Sequence, residues 1–253
     1  MQILGRKVRR RSVEGILKEI KYAIDVYGAH TIDFADEIFL FNIDYTKEIL
    51  NALIDTSLNK KIKWTGLTRA NFVNEDIIAL AKRSGCIRLD MGIESGDDQI
   101  LKDIGKSTTV EEVQQAVTII KNLGIKLVTY YILGHPNETR ESVYNTYKLA
   151  VKVNSDLIAV GLMVPYPGTK VYEYALKGEK GYRLLSKDWS QYDKYGGKAL
   201  EITGLSYEEL LKWQKKIYFD LYLKNYRLKD MLSFLWLRRH AIVHLIRKKV
   251  RRR

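Results

Sequence analysis

The feature that most restricts this chain's fold is a hydrophobic period that switches repeatedly between two and 3.6. Strand-like runs begin near residues 31, 62, 87, 125 and 157. They are Thr31 to Phe34, Ile62 to Leu67, Ile87 to Ile93, Ile125 to Leu133 and Leu157 to Val164. Helical patterns fall between them. Ser12 caps a helix with Ile16, Leu17, Ile20 and Ile24 on its apolar face and Gly28 as its stop. Asp44 opens a second helix through Ile54, and Asn74 caps a third that ends at Gly85. Thr109 with Glu112 forms a capping box for a helix stopping at Gly124, and residues 140–153 form another. Five strands separated by helices predict an α/β fold with a parallel sheet. After Gly178 the composition shifts. Residues 182–205 read as irregular and aromatic, Ser206 with Glu209 caps a helix to about Asn225, and a last helix runs from about 230 to 249.

Composition narrows the function. The chain has 253 residues, 46% hydrophobic and 29% charged, enough for one sizeable domain with a short appendage and too apolar for long disorder. The net charge is +13, but residues 1–12 hold +5 and residues 224–253 hold +10, which leaves −2 for the body. A basic nucleic-acid-binding face is therefore not implied. One cysteine excludes a disulfide framework, a Cys-rich zinc module and a self-sufficient iron-sulfur site. No apolar run reaches the roughly 20 residues that span a bilayer. The basic start leads into an amphipathic helix rather than an apolar core region, so a reducing, cytoplasmic setting is expected.

Polar clusters follow each strand: Asp36-Glu37, then Thr68-Arg69-Ala70-Asn71, Gly92-Ile93-Glu94-Ser95-Gly96, Gly134 to Thr139, and Pro165-Tyr166-Pro167-Gly168-Thr169. In parallel sheets that end carries ligands. Each cluster also has a purely structural reading. Asp36 and Glu37 read equally as solvated loop acids, Arg69 as their surface partner, Ser95 as a helix cap and Glu138 as an acid at the positive end of a helix. Taken together, five such clusters at one rim suggest a ligand site.

Three strings carry a resemblance. The first is Gly85-Cys86, Gly92 to Gly96, Leu101, Lys106 and Thr108. The second is Gly124-Ile125 with Tyr131-Ile132-Leu133-Gly134-His135-Pro136-Asn137-Glu138-Thr139. Both resemble the radical S-adenosylmethionine superfamily. The third, Pro165 to Tyr172, resembles the branch whose members often carry an upstream cobalamin-binding domain, including anaerobic magnesium-protoporphyrin ester cyclase-like enzymes. The opening Gly5-Arg6-Lys7-Val8-Arg9 with Arg11-Ser12 resembles the stretch after the cluster loop in that branch, and the match runs over about residues 5–225.

The resemblance implies a partial (β/α)6 TIM-like barrel lacking its first strand, with a helical C-terminal extension. The implied organisation is a barrel over 1–178, an irregular segment and helix over 179–229, and a basic amphipathic tail over 230–253. It implies S-adenosylmethionine bound across the strand ends on a 4Fe-4S cluster and cleaved reductively to a 5′-deoxyadenosyl radical that acts on an organic substrate. By position, Asp36 and Glu37 resemble the family's contact to the methionine amino group, and Arg69 a residue near its carboxylate. Glu94 and Ser95 resemble the pair bonded to the ribose or methionine end, and Gly134 to Glu138 the element near adenine. A sulfonium nucleoside with an amine, a carboxylate and a diol needs both acidic and basic partners.

The family's CxxxCxxC loop is not in this sequence. The expectation is an N-terminally truncated member whose cluster ligands, and any cobalamin domain, lie upstream or in a separate N-terminal half. Cys86 reads as a small buried apolar residue. Whether the chain is catalytic stays open, the rival readings being an inactive fragment or a module binding a nucleotide-like ligand without the cluster. The tail reads either as a docked helix with a solvated end or as an interfacial helix on an anionic membrane with Trp236 at the headgroups. Nucleic acid is disfavoured, because no stacking platform interleaves with the cations. Neither substrate nor reaction outcome is specified.

Overall fold

The computed structural model describes residues 8–237. Its elements in chain order are α1 (Val13–Tyr27), β1 (Thr31–Phe34), α2 (Ile43–Asp55), β2 (Lys63–Thr68), α3 (Glu75–Arg83), β3 (Cys86–Glu94), α4 (Asp98–Asp103), α5 (Val110–Asn122) and β4 (Lys126–Leu133). They continue with α6 (Arg140–Val153), β5 (Leu157–Leu162), α7 (Lys170–Lys177), β6 (Tyr182–Leu184), β7 (Leu200–Ile202), α8 (Tyr207–Lys224) and α9 (Leu228–Leu237). The first five strands form one parallel sheet in the order β1-β2-β3-β4-β5, and β6-β7 form a separate antiparallel pair. The expected α/β architecture with helices between parallel strands is present. The chain divides into two compact units, one running to Ile93 and including Glu111–Tyr130, the other comprising Glu94–Val110 and the chain from Tyr131 onward.

In the first unit the helix ends follow the side-chain chemistry. Ser12 Oγ accepts from the Gly15 amide and Gly28 turns left-handed at φ 63°, so α1 starts and stops where the sequence predicts. The α2 cap is Asn42, whose Oδ1 accepts from Tyr45 N at 2.9 Å, and the helix therefore begins one residue before Asp44. Strands β1 and β2 run in register from Thr31 opposite Lys63 to Phe34 opposite Gly66. The core centres on Trp64, fully buried, whose ring meets Phe34 edge-on at 5.5 Å and Phe39 at 5.3 Å. Its Nε1 donates to the buried Ser84 Oγ at 3.1 Å. Phe39 lies against Gly66, and its carbonyl accepts from Thr46 Oγ1 at 2.9 Å.

In the second unit α8 packs on β5 and α6. Ser206 and Glu209 close a reciprocal capping box, as the sequence predicts. The backbone of β5 is satisfied from its flank. Val160 N donates to Tyr218 Oη at 2.9 Å, Val160 O accepts from Gln214 Nε2 at 2.8 Å, and Leu162 N donates to Lys194 O at 2.8 Å. Side chains of α8 thus cover strand groups that would otherwise need another strand.

Two elements differ from expectation. Residues 182–205 hold the β6-β7 pair, with Tyr182 opposite Ile202 and Leu184 opposite Leu200, each strand being three residues, too short to show a period. Helix α7 follows the Thr169 cap in a stretch read only as a motif. Among the described residues no helix is long and apolar enough to cross a membrane. The final helix begins at Leu228, and its expected continuation to 249, with His240 and His244, lies outside the described residues.

Replacing Trp64 with Ala removes its contacts with two rings, Phe34 and Phe39, and leaves Ser84 Oγ without its donor. The expected loss is about 3–5 kcal/mol in urea denaturation followed by circular dichroism, and a loss under about 1 kcal/mol would show that this aromatic cluster does not hold the unit together.

Candidate functional site

The second unit brings Glu94, Ser95, Gly134 and Glu138 together in two turns joined to one helix. Strand β3 ends at Glu94, which is left-handed at φ 73°, a costly conformation for a side chain with a Cβ. Its Oε1 accepts from Lys106 Nζ at 3.1 Å, and the lysine side chain is only 10% exposed. Among the described residues Glu94 Oε2 makes no hydrogen bond.

The next residue is locked. Thr146 Oγ1, on α6, accepts from Gly96 N at 2.9 Å and lies 3.1 Å from Ser95 Oγ, while its own proton goes to Ser142 O at 3.0 Å. A hydroxyl has one proton, so Ser95 is the donor to Thr146. Ser95 Oγ in turn accepts from Asp97 N at 3.2 Å and is fully buried. Gly96 makes this possible, because a Cβ there would come within 2.5 Å of Asn145 O. Asp97 then caps α4 through the amides of Gln99 and Ile100 and takes a 3.0 Å bond from Asn145 Nδ2. Ser95 therefore positions the turn, and its hydroxyl is already occupied.

The second turn, Gly134 to Glu138, precedes α6. Glu138 folds back so that Oε2 accepts from the Gly134 amide in a short hydrogen bond and from the His135 amide at 3.2 Å. Thr139, not Glu138, caps α6. Tyr182 Oη donates to Gly134 O at 2.8 Å, so both backbone groups of Gly134 are engaged. Gly134 is left-handed at φ 99° and a Cβ would press on Met163 Cβ at 3.1 Å. Glu138 and His135 are each 3% exposed, yet among the described residues Glu138 Oε1 and both His135 ring nitrogens lack hydrogen bonds. Each such atom costs about 1–3 kcal/mol.

Burial shifts both groups toward neutrality. It raises Glu138 to about 7, against the Gly134 and His135 amides that favour its carboxylate and with Asp97 adding to the rise. It lowers His135 to about 4, opposed by the Glu94 carboxylate and reinforced by Lys106. The same burial, with Glu138 nearby, pushes the Tyr182 phenol up.

The remaining predicted residues lie in the first unit. Asp36 and Glu37 stand exposed in the turn after β1, which the Phe39 packing on Gly66 holds in place, and Arg69 is exposed just after β2. Among the described residues none of the three forms an ion pair. Lys106 appeared in the sequence only as part of a string, and His135, Thr146 and Tyr182 carried no assigned role. Thr146 had no usable signal, since a threonine on a buried helix face is ordinary.

The donor set for metal is poor. Among the described residues no group of three His, Cys, Asp or Glu side chains is placed to hold an ion. Cys86, the sequence's one cysteine, is buried at the start of β3, and burial pushes its thiol up to about 12. This chain's own residues do not fit a 4Fe-4S cluster.

The family model described as the radical SAM superfamily matches residues 3–150, more than half of the chain. The chain belongs to the radical SAM superfamily. That membership carries S-adenosylmethionine and a 4Fe-4S cluster as the family's cofactors. An uncharacterized methyltransferase of Pyrococcus horikoshii is 32% identical over 220 residues, covering 87% of this chain and 47% of the relative. The anaerobic magnesium-protoporphyrin IX monomethyl ester cyclase of Cereibacter sphaeroides is 25% identical over 222 residues, covering 87% and 35%. The radical S-adenosylmethionine methyltransferase TsrM of Kitasatospora setae, solved with cobalamin and a 4Fe-4S cluster, has the same fold at a TM-score of 0.61 and 15% identity, over 82% of this chain and 41% of TsrM. This radical SAM chain spans half or less of the length of these proteins.

The two buried groups titrate in opposite senses. Between about 4 and 6.5 the unfolded chain binds a proton that folded His135 refuses, so His135 makes stability rise with pH. Between 4.5 and about 7 folded Glu138 keeps a proton that the unfolded chain releases, so Glu138 makes stability fall with pH. Glu138→Gln is expected to expose the rising slope and His135→Leu the falling one, each by about 3 kcal/mol across its window in urea titrations at stepped pH. Slopes of one sign in both variants would contradict this assignment.

Proposed function

We propose that this chain provides S-adenosylmethionine-binding elements of a radical SAM enzyme. In the complete form that enzyme would cleave S-adenosylmethionine reductively at a 4Fe-4S cluster, giving a 5′-deoxyadenosyl radical that acts on an organic substrate. The observation that carries the reading is Glu94: a half-buried carboxylate at a strand end, held left-handed, with one oxygen fixed by Lys106 and the other, among the described residues, outside any hydrogen bond. A fixed carboxylate with a spare acceptor suits a ribose diol or an ammonium group.

The other residues divide by what their atoms have left to offer. Asp36 and Glu37 suit the ammonium of the methionine moiety, and Arg69 suits its carboxylate in a two-pronged bond. Gly134 is buried with its amide and carbonyl both bonded, so its part is to let the turn pass close to Met163 and hold its shape. Ser95 and Glu138 hold the two turns in shape. The cluster's ligands are assigned to sequence outside these residues, and no residue of this chain is assigned to cobalamin. A complete form working beside cobalamin is supported by the cyclase-like Pro165 to Tyr172 string and by the likeness to a cobalamin-containing fold. The proposed setting is the cytoplasm.

A second reading, a nucleotide-like ligand module without the cluster, is favoured by the poor metal donor set. Anaerobic treatment with iron and sulfide separates the cluster question from binding. It is expected to leave this chain without the brown absorbance of a cluster and Cys86→Ser no different, whereas a stoichiometric cluster lost in Cys86→Ser would overturn the donor argument.

Binding itself is tested by calorimetric titration of the iron-free chain with S-adenosylmethionine. Saturable heat is expected, weakened by ~ten-fold or more in Glu94→Gln and in Arg69→Ala, the size of one lost charge-assisted bond. Absence of heat at millimolar ligand, or equal affinity in both variants and the parent, would sink the reading.

A further inference from the structure

We propose that α9 and the basic run after it seat this protein on the surface of an anionic lipid bilayer. Leu228, Leu232 and Trp236 recur every fourth residue along α9, which puts them on one helical face. They are 54%, 62% and 63% exposed, and Tyr226, just before the helix, is 93% exposed. Phe219 and Leu223, also four apart, are exposed on α8. Large apolar side chains gathered this way at one end of a chain mark a surface that meets something.

Charge selects what it meets. Residues 224–253 hold eleven Lys and Arg against one Asp. Among the described residues, Lys224 and Arg227 are bonded inside the protein. Lys224 Nζ donates to Tyr147 Oη at 2.6 Å, and Arg227 bonds Asp230, Asn154, Ser155 O and Asp156 O. The other nine are Lys229 and eight within residues 238–253, a stretch with no acid. The body contributes only −2 and residues 1–12 hold +5, so the greatest concentration of positive charge lies at this end. An occupant must present negative charge above an apolar layer, and a bilayer with anionic headgroups has that layering. An indole at 236 suits the headgroup boundary, and the ten described residues of α9 are long enough to lie on a bilayer and too few by themselves to cross it. A nucleic acid would answer the cations and leave Leu232 and Trp236 in water.

The test is co-flotation of the full chain with vesicles of phosphatidylcholine alone or with about one-third phosphatidylglycerol, each at about 0.05 M and about 0.5 M salt. Each cation near an anionic surface multiplies partitioning about five-fold. The protein is expected to float with anionic vesicles at low salt, to float at least ten-fold less with phosphatidylcholine alone, and to be released as salt rises. Leu228→Glu combined with Leu232→Glu replaces exposed side chains, so its circular dichroism is expected to match the parent while its flotation falls at least ten-fold. The proposal is overturned by no flotation at low salt, by flotation indifferent to the double substitution, or by retention on duplex RNA at a salt where the vesicles are not bound.

Discussion

Much of the second unit's order rests on one hydroxyl. Thr146 Oγ1 accepts from Gly96 N and Ser95 Oγ and donates to Ser142 O, so its hydrogen-bonding capacity is filled inside the protein. The contact exists because Gly96 lets the chain pass the α6 backbone at a distance that excludes any Cβ. Its consequences run in both directions. Upstream, with Ser95 and Gly96 pinned, Glu94 has to turn left-handed to leave β3. Downstream, Asp97 is delivered to cap α4 and to take the bond from Asn145. Because α6 starts directly after the Gly134–Glu138 turn, the helix that fixes the first turn also anchors the second.

That second turn stores a cost. A carboxylate that satisfies two amides leaves its other oxygen buried and, among the described residues, unbonded, as are both ring nitrogens of the histidine beside it. Neutral forms reduce the cost, which is why Glu138 moves up and His135 down. Apolar residues of similar size would avoid it. Such a cost persists where a local geometry matters more than the last increment of stability. Here that geometry is a buried left-handed glycine whose amide and carbonyl are both bonded and which packs against Met163 where no Cβ would fit easily.

The strands and helices were legible because their signals are local. The caps at Ser12, Asn74 and Ser206, the stop at Gly28 and five runs of the right period are each read within a few residues. The β6-β7 pair was not, because three-residue strands acquire meaning only through a partner some eighteen residues away. The candidate residues show the same division. Glu94, Gly96 and Gly134 announce themselves as motif residues next to strands, and the structure gives each a special conformation or approach. What could not be read was which atoms remain free. Ser95 looks like a ligand in sequence, but its proton is given to a helix fifty residues on. Lys106 looks like a surface cation and is buried against Glu94. Occupancy of a polar atom is a tertiary property.

The separation of charge along this chain makes its two proposed interactions independent. A sulfonium nucleoside would meet a body of nearly zero net charge, where recognition depends on a few fixed partners such as Glu94 and on neutral, closely packed backbone. Such contacts are short-ranged and change little with salt. The proposed contact of the C-terminal end would rest on summed charge over many cations, each adding to the attraction, and would be long-ranged and steeply salt-dependent. Screening by salt should therefore release the protein from a charged surface while leaving its nucleoside affinity nearly unchanged. If instead both fell together with salt, the cations of the C-terminal end would have to contribute to ligand capture, and the neutrality of the body would no longer describe its binding chemistry.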